Sequence, residues 1–199
     1  VWWFGRAALV LVLILTARGE APPLVRILAS ELDRNFKVLR EKGDPPPYYI
    51  SYEVFEIDGA SAVASLGALK SLRANRARFL DVTVRVGSPN LDNYHRIPGE
   101  RVRFTGGISL PIEDSEAAIR RRVWLETDRV YRAAAERLIK IRTNREVKVA
   151  EEDDSDDFSK QEPPAPHFEA PPRVEFPADD AAARVRKWSA EFTGFPAAV

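Results

Sequence analysis

Three consecutive prolines, Pro45, Pro46 and Pro47, divide this 199-residue chain into two hydrophobic periods. Ahead of them Leu24, Leu28, Leu32, Phe36 and Leu39 recur at three- and four-residue steps, the spacing that lines apolar side chains along one stripe of an α-helix. Glu31, Asp33, Arg34 and Lys37 are expected on the other, wet side. The helix should stop near Gly43, because the prolines beyond it have no amide to donate and clash with a preceding helical turn. Behind the prolines the period falls to two. Tyr48, Ile50, Tyr52 and Val54 alternate with Tyr49, Ser51 and Glu53, as in a strand with one buried face. Asp58-Gly59 is a hairpin signal. Ser61 to Leu69 then reads as a second, alanine-rich strand with Gly67 inside it, whose small side chains predict another backbone or a helix packed close by. A turn is expected around Asn75. Leu80, Val82, Val84 and Val86 alternate with Asp81, Thr83 and Arg85 as the clearest strand, ended by Gly87-Ser88-Pro89-Asn90. Arg101 to Phe104 is the fourth, before Gly106-Gly107. Four strands with short connections predict a twisted antiparallel meander.

Pro111 and Asp114 open a long helix, with Asp114 or Ser115 as its N-cap. Its stripe is Ile119, Val123, Thr127, Val130, Ala134, Leu138 and Ile141, widened by Trp124 and Tyr131, and such a helix is expected to lie across the sheet. The fold class is therefore α+β: helix, four-stranded antiparallel meander, long helix. The acidic run EEDDSDD from Glu151 to Asp157, then Glu162-Pro163-Pro164-Ala165-Pro166 and Ala170-Pro171-Pro172, form an extended linker. A short helix with Ala181, Val185, Trp188 and Phe192 on its apolar face closes the chain. It is expected to dock on the preceding domain or on sequence beyond Val199. The expected segments are residues 1–21 as an export signal, 22–149 as the domain, 150–178 as the linker and 179–199 as the helix leading onward.

The export signal rests on Arg6 followed by an unbroken apolar run from Ala7 to Leu15, then Ala17-Arg18-Gly19 and Gly19-Glu20-Ala21 as small-residue cleavage sites. The run is shorter than the roughly 20 apolar residues that span a bilayer, so a cleaved signal is preferred over an uncleaved anchor. A periplasmic or extracellular location is expected. Cysteine is absent, which excludes disulfides and thiolate metal sites, and methionine is absent even at position 1. Thirty Lys and Arg balance thirty Asp and Glu, so no basic excess points to nucleic acid.

A catalytic constellation is not found. The two histidines, His95 in a loop and His167 in the linker, are not paired on a helix with a glutamate as a zinc-protease motif requires, and both read as surface residues. His95 is the stronger outlier, crowded by Asp92, Asn93 and Tyr94. Asp153, Asp154, Asp156 and Asp157 do not make a calcium loop. Counted from Asp153, Phe158 and Pro164 stand where glycine and a bidentate glutamate belong. Gly106-Gly107 lacks the surroundings of a phosphate loop. Ser51, Ser61 and Ser65 have no partnered histidine to act as base. Arg120, Arg121 and Arg122, among Glu113, Asp114, Glu116 and Glu126, read as a salt-bridged exposed face. No catalytic, metal or cofactor residue is therefore assigned.

Pro46 to Tyr52 (PPYYISY), Ala64 to Leu69 (ASLGAL), Val84-Arg85-Val86-Gly87, Asp92-Asn93, Trp124 to Asp128 (WLETD) with Tyr131, and Asp157-Phe158-Ser159 before Glu162-Pro163 occur in an order and spacing of their own. Together they resemble the N-terminal region of the TldD/PmbA (modulator of DNA gyrase) metallopeptidases, in an exported bacterial branch. The resemblance spans about Leu24 to Phe192. It implies a zinc site on an H-E-x-x-x-H helix in a separate C-terminal domain, expected beyond Val199. It also implies homo- or heterodimers with a family member and unfolded peptide as substrate, taken in as an added strand along Tyr48 to Val54. The family also holds partners without the zinc motif, so a non-catalytic scaffold subunit or periplasmic binding module is the alternative.

Overall fold

The computed structural model describes residues 22–97, 99–100, 107–147, 155–159, 169 and 177–195. The export signal at 1–21, the strand at 101–104, His167 and most of the linker lie outside the described residues. Helix α1 runs Pro23–Lys42, followed by strands β1 Pro47–Ser65, β2 Ala68–Ser88, β3 Leu91–Asp92 and β4 Ile108–Leu110. Helix α2 runs Glu116–Val147 and α3 Ala178–Ala190, which ends in a single 3-10 turn. The architecture is α+β, with β1 antiparallel to β2, and β2 also antiparallel to β3 and β4. Among the described residues no helix is long and apolar enough to cross a membrane.

The core follows the periodicities. Leu80, Val82, Val84 and Val86 of β2 are fully buried, as are Ile119, Val123 and Leu138 of α2, which packs across β2. Each such side chain contributes about 1.5–3 kcal/mol on leaving water. The stripe expected on α2 is buried along its whole length, from Ile119 through Thr127 to Ile141.

Two expectations about the first half change. In α1 the buried seam is Ile27, Glu31, Asn35 and Leu39, while Leu24, Leu28, Leu32 and Phe36 lie half-buried on its shoulder. Glu31 was placed on the wet side and is instead fully buried. It accepts hydrogen bonds from Arg34 and Arg120, so its charge is compensated at the α1–α2 contact. The hairpin turn is also elsewhere. Asp58-Gly59 and Asn75 stay inside continuous strands, paired as Asp58↔Arg76 and Gly59↔Asn75, and the chain reverses at Leu66-Gly67. Both turn residues have positive φ, +50° and +80°, matching the type I′ turn whose twist suits a hairpin. Leucine is a poor residue there. The turn is held from outside instead: Ser189 Oγ accepts the Gly67 N–H, and Arg186 donates to the Gly67 carbonyl. Turning at Asp58 would have left the ladder between 59–65 and 68–75 unmade.

The result is one long hairpin whose far half projects past α1 and α2. Helix α3 covers one of its faces. Ala60, Ala62 and Ala64 are half-buried, while Ser61, Val63 and Ser65 between them are exposed, so the helix sits on the alanine face. Its own seam is small as well, Ala178, Ala181, Ala182, Val185 and Ser189, and a Cβ added to Gly67 would lie 3.2 Å from the Ala190 Cβ. The expected close packing against the alanine-rich strand is present. Trp188 and Phe192, expected on the packed face, point to solvent instead, because only small residues allow helix and strand backbones to approach this closely.

The edge of β2 near β4 carries a charged contact. Buried Arg78 donates to Glu56, to Asp114 and to the Pro111 carbonyl. Burial raises the Glu56 carboxyl, but the bonds from Arg78 and Arg76 outweigh it and hold the group below its usual range. A carboxylate held low in the folded state contributes stability above its unfolded value of about 4.3, and that contribution is lost as pH falls through the lower folded value. Glu56→Gln is therefore expected to lower the urea midpoint near neutral pH, with the gap from wild type closing below about pH 4. A gap that stays constant with pH would show that the ion pairs do not matter.

Candidate functional site

The chemistry-bearing side chains gather at the corner where β2 leaves the core. Gly87, at φ +105°, turns the chain, and Gly87 then pairs with Asp92 of β3. Asn93 acts as a surrogate strand: its Oδ1 accepts the Val86 N–H at 2.8 Å and its Nδ2 donates to the Val84 carbonyl at 3.1 Å. From α2, Arg137 donates to the carbonyls of Asn93 and His95 and to Glu100. The corner is thus tied to both layers.

Asp92 is the centre of this node and is fully buried. Its Oδ2 accepts from the Tyr48 hydroxyl and from Arg85 Nη1, each at 2.5 Å, and its Oδ1 accepts the Tyr94 N–H at 2.7 Å. Burial would depress the Arg85 guanidinium, yet Asp92 and Tyr48 hold it above its usual range. Burial first, then Asp92, push the Tyr48 phenol up as well. The node therefore sets a cationic guanidinium and a neutral phenol on Asp92. With three donors on its two oxygens, a guanidinium among them, Asp92 serves as the counter-ion of Arg85.

The acidic segment returns to this corner. Asp157 Oδ2 accepts the Asp92 N–H at 2.8 Å and Oδ1 pairs with His95 Nδ1, also at 2.8 Å. Phe158 donates its N–H to the Pro89 carbonyl. Its ring packs on Tyr48 and Tyr49 at 6.0 and 4.9 Å between centroids. The Arg85 guanidinium lies 4.3 Å from the Tyr94 ring centroid and 4.4 Å from that of Phe158, a cation between two π faces. Two readings of these residues change accordingly. The His95 side chain is only 15 % exposed and is not a plain surface residue, and Asp157, at 12 %, is not solvated linker. Each finds in the other a partner that water would otherwise supply. Asp156 is exposed as expected, and Asp153 and Asp154 lie outside the described residues.

A second polar chain joins α1, β1 and α2. Asn35 Nδ2 donates to the Tyr52 hydroxyl, which shares a 2.8 Å bond with Thr127 Oγ1, and Thr127 donates on to the Val123 carbonyl. Burial raises the Tyr52 phenol. Tyr131 donates to the Pro45 carbonyl, locking the proline corner onto α2. Arg120 bridges Glu116 and Glu31, and Arg122 caps the Ser109 carbonyl, so the expected salt-bridged face holds for Arg120. Alongside this chain, a groove of about 590 Å³ runs between α1 and the start of β1, with Ala29, Leu32 and Phe36 on one wall and Tyr48, Tyr49 and Ile50 on the other. Among the described strands β1 pairs only with β2, so its outer edge follows this groove without a neighbouring strand.

Residues scattered through the sequence motifs thus meet in space. Tyr48, Tyr49, Arg85, Gly87, Asp92, Asn93, Asp157 and Phe158 form one node, and Tyr52 and Thr127 the other. Sequence reasoning alone did not pair Arg85 with Asp92 or Asp157 with His95. An arginine inside the clearest strand, opposite a strand-ending polar cluster, was the available signal. Ser51, Ser61 and Ser65 lie along β1, with Ser61 and Ser65 exposed, and Gly107 leads into β4. Among the described residues no three His, Cys, Asp or Glu side chains stand together as a metal site. The zinc implied by the resemblance has no ligand set in them.

The fold and its nodes define a small α+β domain. The chain matches no protein-family model, no curated protein and no solved structure.

Proposed function

We propose that this chain is the N-terminal, non-catalytic domain of an exported zinc metallopeptidase of the TldD/PmbA type, contributing to assembly and to the capture of unfolded peptide. The observation that carries the capture step is the unpaired edge of β1 beside the apolar groove of α1. An extended peptide that adds to a sheet edge satisfies its backbone there, and neighbouring pockets take alternate side chains. The polar nodes hold that edge in place, since Tyr48 is bonded to Asp92 and Tyr52 to Thr127 at either end of it. Zinc belongs to the separate C-terminal domain in this reading, and the apolar leader at 1–21 delivers the protein to the periplasm or beyond.

The capture step is tested by fluorescence anisotropy of a labelled unstructured peptide against the 199-residue chain. Ala29→Arg, which fills the groove from an exposed position, is expected to weaken binding about tenfold, or about 1.4 kcal/mol, with an unchanged unfolding midpoint. Equal binding by both proteins removes the groove from the reading. The zinc assignment is tested on the full reading frame by cleavage of the same peptide with and without chelator, where chelator-insensitive activity is incompatible with it. A second reading, a non-catalytic scaffold subunit or periplasmic binding module, draws on the engagement of Asp92 and Asp157 by structural partners. Downstream sequence without an H-E-x-x-x-H helix favours that reading.

A further inference from the structure

The far end of the long hairpin gathers apolar side chains that the fold leaves in water. The last residues of α3 reach the Leu66-Gly67 reversal, where Ser189 holds the Gly67 amide and Ala190 packs against Gly67. The tip therefore has two halves: the turn, with Leu66 and Leu69, and the end of α3, with Trp188 and then Phe192 and Phe195. All five are between 40 % and 65 % exposed. Leu66 takes φ +50° at an exposed turn, where glycine, asparagine or aspartate would sit with less strain. Neither the reversal nor the packing of α3 calls for an aliphatic side chain at that position. From the Val54↔Leu80 rung of the core to Ser65 the ribbon runs about 35 Å, so the tip stands well clear of α1 and α2.

The charge at this end is one-sided, although the chain as a whole is neutral with 30 basic and 30 acidic residues. Residues 60–75 and 181–195 hold Lys70, Arg73, Arg184, Arg186 and Lys187 against a single acid, Glu191. Lys70, Arg73, Arg184 and Lys187 are exposed and form no ion pair among the described residues. Nearer the core the pattern is the opposite. Arg78, Arg85, Arg120 and Arg137 each sit on a carboxylate there.

Shape and chemistry together select the partner. The tip is two strands and one helix across, a convex end that a soft surface can close around and a flat protein face cannot. Its leucines suit acyl chains and give the bases of a nucleic acid nothing to stack on, while tryptophan and phenylalanine favour the boundary between apolar and wet layers. The unpaired basic rim is complementary to anionic headgroups. We infer that the hairpin tip docks on the surface of an anionic lipid bilayer. Leu66 and Phe192 enter the headgroup–acyl boundary to a depth of about 5–10 Å, and Lys70, Arg73, Arg184 and Lys187 meet the headgroups. Such peripheral binding needs no spanning helix, and among the described residues there is none. It does not depend on the peptidase reading and uses neither the Tyr48 to Val54 edge nor the groove of α1.

The test places a polarity-sensitive dye on the 199-residue chain, which has no cysteine of its own. One protein carries it on Ser65→Cys at the tip, and a second on Leu125→Cys, an exposed position of α2. Both share the same apolar leader, so a difference between them reports the tip. Vesicles of phosphatidylcholine and phosphatidylglycerol in equal parts are expected to shift the Ser65→Cys emission to the blue, and shallow nitroxide lipid to quench it, with no change at Leu125→Cys. Leu66→Asn, which the turn accepts more readily than leucine, is expected to raise the lipid concentration at half-maximal shift about tenfold, with an unchanged or higher thermal midpoint. Lys70→Glu combined with Lys187→Glu is expected to raise it about tenfold or more, and added salt to have the same effect. No shift at Ser65→Cys, an equal shift at Leu125→Cys, or a Leu66→Asn protein that binds like wild type overturns the proposal. So does a full response to phosphatidylcholine alone, or the same shift with a single-stranded oligonucleotide that vesicles do not displace.

Discussion

Asp92→Ala is expected to be the most damaging single change at the polar corner, costing about 3 kcal/mol or more of stability. The aspartate is fully buried and answers three donors at once, Tyr48, Arg85 and the Tyr94 amide. Removing it leaves the Arg85 guanidinium largely buried, with its Nε already without a partner among the described residues, and an arginine cannot shed its charge to relieve the loss. The cost of breaking such a pair is dominated by the charge left behind rather than by the bond that is lost. For a chain of this size about 3 kcal/mol corresponds to roughly 6–12 °C in Tm. The change also removes much of what holds Arg85 beneath Phe158, so the segment around Asp157 is expected to become sensitive to protease at a temperature where the wild type is resistant. Urea unfolding monitored by tryptophan fluorescence supplies the first readout and limited proteolysis the second. A loss below about 0.5 kcal/mol, the size of an ordinary surface substitution, would show that the node is incidental.

Gly87→Ala is expected to cost about as much, roughly 3 kcal/mol, for a reason that is steric rather than electrostatic. At φ +105° an L side chain is strained whatever surrounds it. Here the added Cβ would also stand 2.6 Å from the Leu91 carbonyl oxygen, with the Asp92 Cα and Leu138 Cδ1 at 3.3 Å. The two nearest of these are backbone atoms in the rung that positions Asp92, so relief requires the corner to move. Combined with Asp92→Ala the loss is expected to be less than additive, since both changes dismantle the same corner. Additive losses in the double variant would place the two residues in independent parts of the structure.

The candidate site was legible in the sequence only as fragments. Asp92-Asn93 stood out as a polar cluster after a strand, and His95 as an outlier beside it, but nothing local links position 92 to positions 48, 85 and 157. The 65-residue separation between Asp92 and Asp157 is bridged only after α2 has crossed the sheet and the acidic segment has turned back. An aspartate in a run of acidic residues looks solvated until a buried amide and a histidine are brought to it. The same holds for Glu31, whose place on a helix looks wet until Arg120, 89 residues away, supplies the opposite charge.

The hairpin divides the two kinds of information most clearly. Strands and helices were readable wherever one face is buried over several residues, because alternation at two or at 3.6 is imposed by the chain's own geometry. That is why Leu80 to Val86, the stripe of α2 and the α+β class follow from the sequence alone. The position of the reversal does not follow. Asp58-Gly59 has the better turn chemistry, and Leu66-Gly67 makes the turn because α3 supplies hydrogen bonds to Gly67 and packs its small residues on the alanine face. Turn preferences are worth about a kilocalorie, whereas a continuous ladder and a helix packed on it are worth several. Local chemistry therefore decided which elements form, and tertiary structure decided where they reverse and which charges meet.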